Sequence, residues 1–303
     1  NPSDNVSAGY YNTAVGSDSL VLNTTGFDNN AFGLNSLYNN TTGATNNAFG
    51  TFALFSNKSG SQNVAMGDST LYDNTTGNNN IAIGYFASAN NGSATSTVAI
   101  GTRAGIGSSA LFNAQGYTLL GYEAGRNITT GADYNTLVGF QSGLNVSSGY
   151  ANVGLGASST ANITTGNGNL GLGNNTIFPS ATGNNQLNIG NSIFGTIPAT
   201  STALATIDMS TVKIGIASTS PWGQLSVNSN GIGSGPSFVV GSSTKTDFVI
   251  DNAGRAAFGT PVVNTGYPVQ VHSASGNSTI GFTNTVTGGA LSAGAYIGQL
   301  AGN

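Results

Sequence analysis

A pentapeptide that ends in glycine, Asn-x-Ala-(large apolar)-Gly, recurs through the first two thirds of this 303-residue chain. Successive closing glycines are 17 residues apart, except for one spacing of 20 and one of 18. A repeat of this length is too short for a helical hairpin and predicts one coil of a β-solenoid, with two short strands joined by two turns. The closing glycines are Gly16, Gly33, Gly50, Gly67, Gly84, Gly101, Gly121, Gly139, Gly156, Gly173 and Gly190.

A second glycine follows ten residues after most closing glycines and usually ends an Asn-Thr-Thr-Gly or Asn-Ile-Thr-Thr-Gly turn. We expect glycine at both places because the turns need a positive φ. Stacked coils lie about 4.8 Å apart, so eleven of them predict a stack roughly 50 Å long. The 20-residue copy, from Gly101 to Gly121, is interpreted as a loop insertion on one face. The second glycines are Gly26, Gly43, Gly60, Gly77, Gly131, Gly149, Gly166 and Gly183.

The strand before each closing glycine has two faces that are not patterned for water. The residue just before the glycine is large and apolar in every copy, and it shares a face with the residue two positions earlier. The opposite face carries alanine in six copies, then Leu119 and Leu137, then Gly154 and Gly171. Because one face must be covered from outside, we expect a homo-oligomer with closed symmetry, whose subunit number stays open.

Asparagine recurs in register with the glycines, and stacked amides form hydrogen-bonded ladders without charge. Stacked carboxylates or ammonium groups at about 5 Å would repel one another. This explains why only 5% of the residues are charged. We expect the charges that do follow a glycine, Asp18, Asp68 and Glu123, at exposed turns. The ladder positions are Asn12, Asn29 or Asn30, Asn46 or Asn47, Asn63, Asn80 and Asn152.

Three recurring features have both a structural and a functional interpretation. Aromatic residues five positions after the glycine could stack on sugar rings or pack as a ladder. Threonine pairs before the second glycine could form an ice-binding or glycan-binding array, or serve the turn. Asn-x-Ser/Thr sequons could accept glycans, or reflect the turn's preference for these residues. The aromatic residues are Tyr38, Phe55, Tyr72 and Phe178. The sequons include Asn5, Asn23, Asn57, Asn74, Asn127, Asn145, Asn162 and Asn277.

The composition argues against several classes of function. With 6 Lys+Arg, scattered along the chain, we expect no nucleic-acid partner. One Glu, one His (His272) and no Cys provide little for acid/base catalysis, metal binding or a cofactor, so we predict none of these. No apolar run approaches the roughly 20 residues of a membrane span.

The 17-residue period stops after Ile197. We therefore divide the chain into a β-roll domain (1–197), a connector (198–211) and a β-rich stalk or neck (212–303). In the last region, residues 212–227 read as two strands around a turn that Trp222 anchors, and residues 237–254 read as a hairpin. Residues 5–10 copy residues 145–150, so we expect the solenoid to continue upstream.

The repeats resemble those of a known class of surface proteins. Asn63-Val-Ala-Met-Gly67 and Asn80-Ile-Ala-Ile-Gly84 resemble the head repeats of YadA-like trimeric autotransporter adhesins. The longer unit from Asn30 to Gly43 resembles repeats of bacterial and phage tail-fibre-like proteins, as does the segment Ile214 to Val227. The resemblance implies a left-handed parallel β-roll, a trimer, and a location on a cell or virion surface.

We therefore expect a non-enzymatic extracellular fibre or adhesin component, which assembles as a homotrimer and attaches to a host-surface glycan or protein. The ligand-facing residues are unknown from sequence, and the irregular coils 88–116 are the place to look. One alternative is a self-assembling filament with end-to-end contacts. Another is a glycan-degrading tailspike, which needs paired carboxylates. The available pairs are Asp68 with Asp73, Asp18 with Asp28, and Asp247 with Asp251.

Overall fold

The computed structural model describes most of the repeat region and separate strands beyond it. The described residues are 9–108, 111–197, 213–216, 225–227, 238–242, 245–250, 256–258 and 269–271. They form strands and turns and contain no helix. The chain divides into two compact units, residues 1–227 and 228–303. The predicted connector, together with Trp222 and His272, lies outside the described residues.

Eleven short strands of the first unit pair in parallel, each with the strand of the next coil. The pairing steps by whole repeats, so that Ala14 lies opposite Ala31 and Ala31 opposite Ala48. The predicted parallel β-solenoid is confirmed, with about ten turns. The strands are β1 (Thr13–Val15), β2 (Asn30–Phe32), β3 (Asn47–Phe49), β4 (Val64–Met66), β5 (Ile81–Ile83), β6 (Val98–Ile100), β7 (Thr118–Leu120), β8 (Thr136–Val138), β9 (Val153–Leu155), β10 (Leu170–Leu172) and β11 (Gln186–Ile189).

Three more strands extend this sheet to fourteen. They are β12 (Ile193–Thr196), antiparallel to β11; β13 (Lys213–Ile216), antiparallel to β12; and β14 (Leu225–Val227), parallel to β13. The second unit contains a four-stranded sheet. Its strands are β15 (Phe238–Ser242), β16 (Lys245–Ile250), β17 (Ala256–Phe258) and β18 (Val269–Val271), of which the first two form an antiparallel pair.

Each coil contains one strand, and the expectation of a second strand is wrong. After the closing glycine, the residues two and four positions on have positive φ, as at Asn35 (56°) and Leu37 (51°). Left-handed residues at alternate positions are incompatible with an extended strand. The backbone still bonds between coils, since the Leu37 N–H donates to the Ala53 carbonyl (3.0 Å) and the Asn35 N–H to the Ser17 carbonyl (2.9 Å).

The two glycines of each repeat have different reasons to be glycine. Every closing glycine has a positive φ, between 122° and 148° in the ten copies before Gly190. Among the second glycines only Gly131 has a positive φ, so the expectation for the other seven is wrong. Their reason is close approach: a Cβ on Gly60 would overlap the Gly77 carbonyl of the next coil and the Asn57 amide oxygen.

The core is filled from opposite sides in different coils of the solenoid. In the first coils a buried leucine four positions after the glycine, such as Leu37, packs in the same core as the strand alanines, such as Ala31. In the two coils that begin at Gly121 and Gly139 that position is a glycine, as at Gly125, and the strand position is a leucine, as at Leu119. A Cβ on Gly125 would lie 2.8 Å from the Leu119 Cδ2 atom. Each large side chain thus faces a small one, and the narrow interior stays filled.

Candidate functional site

The outward side of β1 to β11 is largely apolar and at least partly exposed. The alanines of these strands point into the coil, and Ala48 is fully buried. The residues on either side point outward, and Phe49 is 37% exposed, Met66 44% and Leu120 43%. The outward residues are Thr13, Val15, Asn30, Phe32, Asn47, Phe49, Val64, Met66, Ile81, Ile83, Val98, Ile100, Thr118, Leu120, Thr136, Val138, Val153, Leu155, Leu170, Leu172, Leu187 and Ile189. We call these two columns the outer face, and no charged residue occurs in it.

Neighbouring coils also contact one another along the outer face. The rings of Phe32 and Phe49 stack with their centroids 4.9 Å apart and their planes 5° from parallel. Beside them, the Asn30 side-chain amide donates to the Asn47 side-chain oxygen at 2.8 Å. The outer face is therefore a continuous surface built in register, rather than scattered apolar residues.

Inside the coil the predicted asparagine ladder is present. Asn46 Nδ2 donates to Asn29 Oδ1 (3.0 Å) and to the Gly60 carbonyl (2.8 Å), and the Asn46 N–H donates to the same Asn29 oxygen (3.0 Å). The first asparagine of each adjacent pair is inside, and the second is on the outer face. The inner positions are Asn12, Asn29, Asn46, Asn63 and Asn80, then Thr97 and Tyr117, then Asn135, Asn152, Asn169 and Gln186.

A second ladder, which the sequence analysis missed, runs through the other turn. Asn40 Nδ2 donates to Asn23 Oδ1, and Asn57 Nδ2 to Asn40 Oδ1, both at 2.8 Å. The 17-residue spacing of these asparagines was the available signal. Three of the sequon asparagines, Asn23, Asn57 and Asn74, are buried in this ladder and are not open to a glycan, whereas Asn145 is exposed.

The aromatic stripe forms a stack. Ring centroids are 5.4 Å apart between Tyr38 and Phe55, and 5.1 Å between Phe55 and Tyr72. Phe52 packs edge-on against Phe55 at 5.6 Å. Phe178, further along, is buried. Because the rings cover one another's faces, the contacts are those of a packing ladder rather than of a platform for sugars.

The threonine before the second glycine also serves contact between coils. The hydroxyl of Thr24 donates to the Thr41 carbonyl (2.8 Å), that of Thr41 to the Lys58 carbonyl (2.9 Å), and that of Thr75 to the Gly92 carbonyl (2.8 Å). Each of these three hydroxyls therefore bonds the next coil, as turn chemistry predicts, and the second threonines of these pairs, Thr25, Thr42 and Thr76, are exposed.

The most distinctive side-chain cluster surrounds Glu123, which was expected at an exposed turn but is buried. Arg103 and Arg126 each place an Nη1 atom 3.5 Å from Glu123 Oε1. Gln141 Nε2 donates to Glu123 Oε2 at 2.9 Å. The Gln141 hydrogen bond, together with the charge of Arg126, holds the pKa of Glu123 below its ordinary value although burial opposes this. We call these four residues the Glu123 cluster.

A groove of about 450 Å³ lies beside this cluster, at the irregular coils. Ile106 and Arg126 occupy the repeat position of the aromatic stripe, five residues after the glycine. The insertion of the 20-residue coil falls between Gly107 and Phe112 in the register, because the Gly92 N–H donates to the Phe112 carbonyl (2.9 Å), which is 20 residues on, whereas the equivalent bond of earlier coils spans 17 residues. The groove is lined by Asn90, Arg103, Ile106, Gly107, Ser108, Arg126 and Asn127.

The acidic residues do not form a metal site within the described ranges, where no three His, Cys, Asp or Glu side chains lie together. Asp68 accepts a hydrogen bond from the neighbouring Ser69 hydroxyl (2.5 Å) and Asp18 from Ser17 (3.0 Å). Burial raises the pKa of Asp73. Asp251 lies outside the described residues. In the part of the chain described, there is also no helix long and apolar enough to span a membrane.

Comparison of this chain with protein-family models, with curated proteins and with solved structures finds no match. The resemblance to adhesin and tail-fibre repeats therefore rests on the repeat motif. A solenoid can carry many functions, so the function has to be argued from particular surfaces of this molecule.

Proposed function

We propose that the chain is a non-enzymatic component of an extracellular fibre or adhesin, in which three copies associate through their solenoids into a rod for surface attachment. The observation that carries this proposal is the outer face: two columns of uncharged, largely apolar side chains that run unbroken over eleven strands. Contiguous exposed apolar surface of this kind marks an interaction site on a soluble protein.

A second copy of the chain is the occupant that fits this face best. The face repeats with the coil, so that a copy aligned in parallel presents the same periodicity and the same absence of charge. Large side chains such as Phe49 and Met66 would be removed from water in that contact. Identical copies related by closed rotational symmetry use one pair of surfaces throughout and leave none unpaired.

The resemblance of the repeats to those of adhesins and tail fibres supplies three further parts of the proposal. These are the number of three subunits, the left-handed winding of the coil, and the location on a cell or virion surface. In this proposal the residues from 212 onward form the stalk or neck of the rod. The internal asparagine ladders support a role as a rod, because they join coil to coil without charge and so place no electrostatic limit on length.

A self-assembling filament is the second candidate. Within the described residues β1 pairs on one side only, with β2, and β14 ends the same sheet at its other side. An unpaired edge is a template for a further strand. End-to-end pairing of β1 with β14 of another copy would extend the sheet without limit.

Electron microscopy of the purified chain separates these functions. The proposal predicts discrete rods of one length that bind to the surface of host cells. Unlimited polymers would replace it with the filament. Release of reducing ends from a surface polysaccharide would instead establish the tailspike alternative.

A further inference from the structure

Two of the three basic side chains between residues 9 and 197 converge on one groove. They are Arg103 and Arg126, whereas the third, Lys58, lies on coils well before the groove. Both arginines contact the single acid Glu123, so the Glu123 cluster carries one net positive charge. In a chain with so few charges, this makes the groove a local positive site.

The arginines retain donors for a ligand. Each contacts Glu123 through one Nη1 atom, and their side chains are 43% and 44% exposed. A guanidinium has five N–H donors, so most of them remain free for another oxygen. The buried Glu123, fixed from the far side by Gln141, acts as a positioning residue that holds the two guanidinium groups near each other.

Neutral polar groups complete the groove. The side chains of Asn90 and Ser108 line it and make no hydrogen bond to any described residue, and Asn127 makes one long bond to Asn145 (3.5 Å). Amides and hydroxyls of this kind bind sugar hydroxyls. Asp73 lies one coil before Asn90, at the same repeat position, and does not line the groove. Because this carboxylate would repel an anion near Asn90, the anionic end of a ligand belongs at the arginines.

We propose that this groove binds an acidic saccharide, with its oxyanion between Arg103 and Arg126 and its hydroxyls at Asn90, Ser108 and Asn127. Arginine binds carboxylate and sulfate oxygens in charge-assisted, often paired hydrogen bonds. The volume of about 450 Å³ lies within the range of small-molecule sites. As the ligand class of an adhesin, the saccharide rests on the function proposed above, although the binding itself needs only the solenoid.

The test titrates the full chain with galacturonic acid, N-acetylneuraminic acid, a 6-sulfated N-acetylglucosamine, neutral galactose and inorganic phosphate, by calorimetry or ligand-observed NMR. We expect at least one acidic sugar to bind at least about tenfold more tightly than galactose and phosphate, and more weakly as salt is raised. A carboxylated or a sulfated sugar would each support the proposal and identify the oxyanion.

Arg103→Gln and Arg126→Gln each remove one cation from the groove, and Lys58→Gln is the matched control elsewhere. We expect each arginine variant to weaken binding about tenfold or more and the lysine variant to leave it unchanged. All three variants should still unfold cooperatively on heating, as a folded solenoid does. Absence of acidic-sugar binding, equal binding of galactose or phosphate, or unchanged affinity in both arginine variants would overturn the proposal. A monomer that binds would contradict the trimeric rod alone, and a trimer that does not bind would contradict the groove alone.

Discussion

Leu119 occupies the space that a side chain at Gly125 would need, since a Cβ at that glycine would lie 2.8 Å from Leu119 Cδ2. Four residues after the glycine, earlier coils place leucines, such as Leu54, that are fully buried. The strand alanines of those coils, such as Ala48, leave room for them. A large residue on one side of the coil is thus matched by a small residue on the other.

Exchanging the large and the small residue between these two positions tests this relationship. Leu119→Ala should cost about 2 to 5 kcal/mol through the cavity it leaves. Gly125→Leu should cost about 1 to 3 kcal/mol or more through overpacking. The double variant restores the arrangement of the early coils and should be less destabilised than the sum of the two single variants. Denaturant unfolding of the four proteins measures the coupling, and strict additivity would contradict the size match.

Removal of one ladder amide should weaken the stack more than removal of an exposed one. Asn46 is fully buried, and Asn46→Ala would leave the Asn63 N–H without its acceptor and would remove one of the two side-chain donors to the Gly60 carbonyl. Each unsatisfied buried group costs about 1 to 3 kcal/mol. Asn174, which is exposed and makes no side-chain hydrogen bond within the described chain, provides the control Asn174→Ala. Thermal unfolding should show a large loss for the first variant and little change for the second.

The second glycines should tolerate no side chain, despite their ordinary φ. Gly43→Ala would drive a methyl group into the Gly60 carbonyl of the next coil, and the backbone there cannot move without breaking the stack. At Gly190 a Cβ would meet nothing within 4 Å, although φ is 57°. We expect Gly190→Ala to cost about 1 to 2 kcal/mol and Gly43→Ala considerably more. Equal melting temperatures of the two variants would contradict close approach as the reason for glycine at the second position.

The Glu123 cluster predicts a loss of stability in acid. Because the pKa of folded Glu123 lies below its ordinary 4.5, the unfolded carboxyl takes up a proton first as the pH falls. The contribution of Glu123 is complete above that value and disappears as the pH falls through the lowered pKa. Melting curves between neutral pH and acid should therefore show the difference between wild type and Glu123→Gln shrinking below pH 4.5. A difference independent of pH would contradict the ionised cluster.

The sequence predicted those features that depend on strict repetition. The 17-residue spacing predicted the in-register stacking of like residues and the asparagine ladder, whereas the parallel pairing was implied by the resemblance of the repeats. Which face of the strand points into the coil was left open. The size exchange between Leu119 and Gly125 was visible as a change of residue type along the columns, but its partner was not identifiable without the shape of the coil.

Features that depend on the path of the backbone within one coil were missed. Asn35 and Leu37 have a left-handed backbone conformation, but neither residue type requires a positive φ. The sequence therefore predicted a strand in the second half of the coil. The Glu123 cluster joins Arg103, Glu123 and Gln141 across coils of 20 and 18 residues. All three lie two residues after a closing glycine, and this shared repeat position was the available signal.

Placement of a charge on the outer face tests whether copies meet there. In Met66→Glu a carboxylate replaces an exposed apolar side chain, and this change costs little stability in a single chain. In an assembly the carboxylate would be buried in each copy, where an unpaired charge is strongly destabilising. The matched control is Ser59→Glu, at an exposed turn away from the outer face. Size-exclusion chromatography should show dissociation of the first variant and none of the second. Dissociation of both or of neither would place the contact elsewhere.

The most direct test of the trimeric rod is the mass of the chain in solution, measured by sedimentation equilibrium at micromolar concentration. The outer face, covered by identical copies, predicts a single species of three times the 30.1 kDa of one chain. A stable species of 30.1 kDa would leave the apolar outer face exposed and would contradict the account.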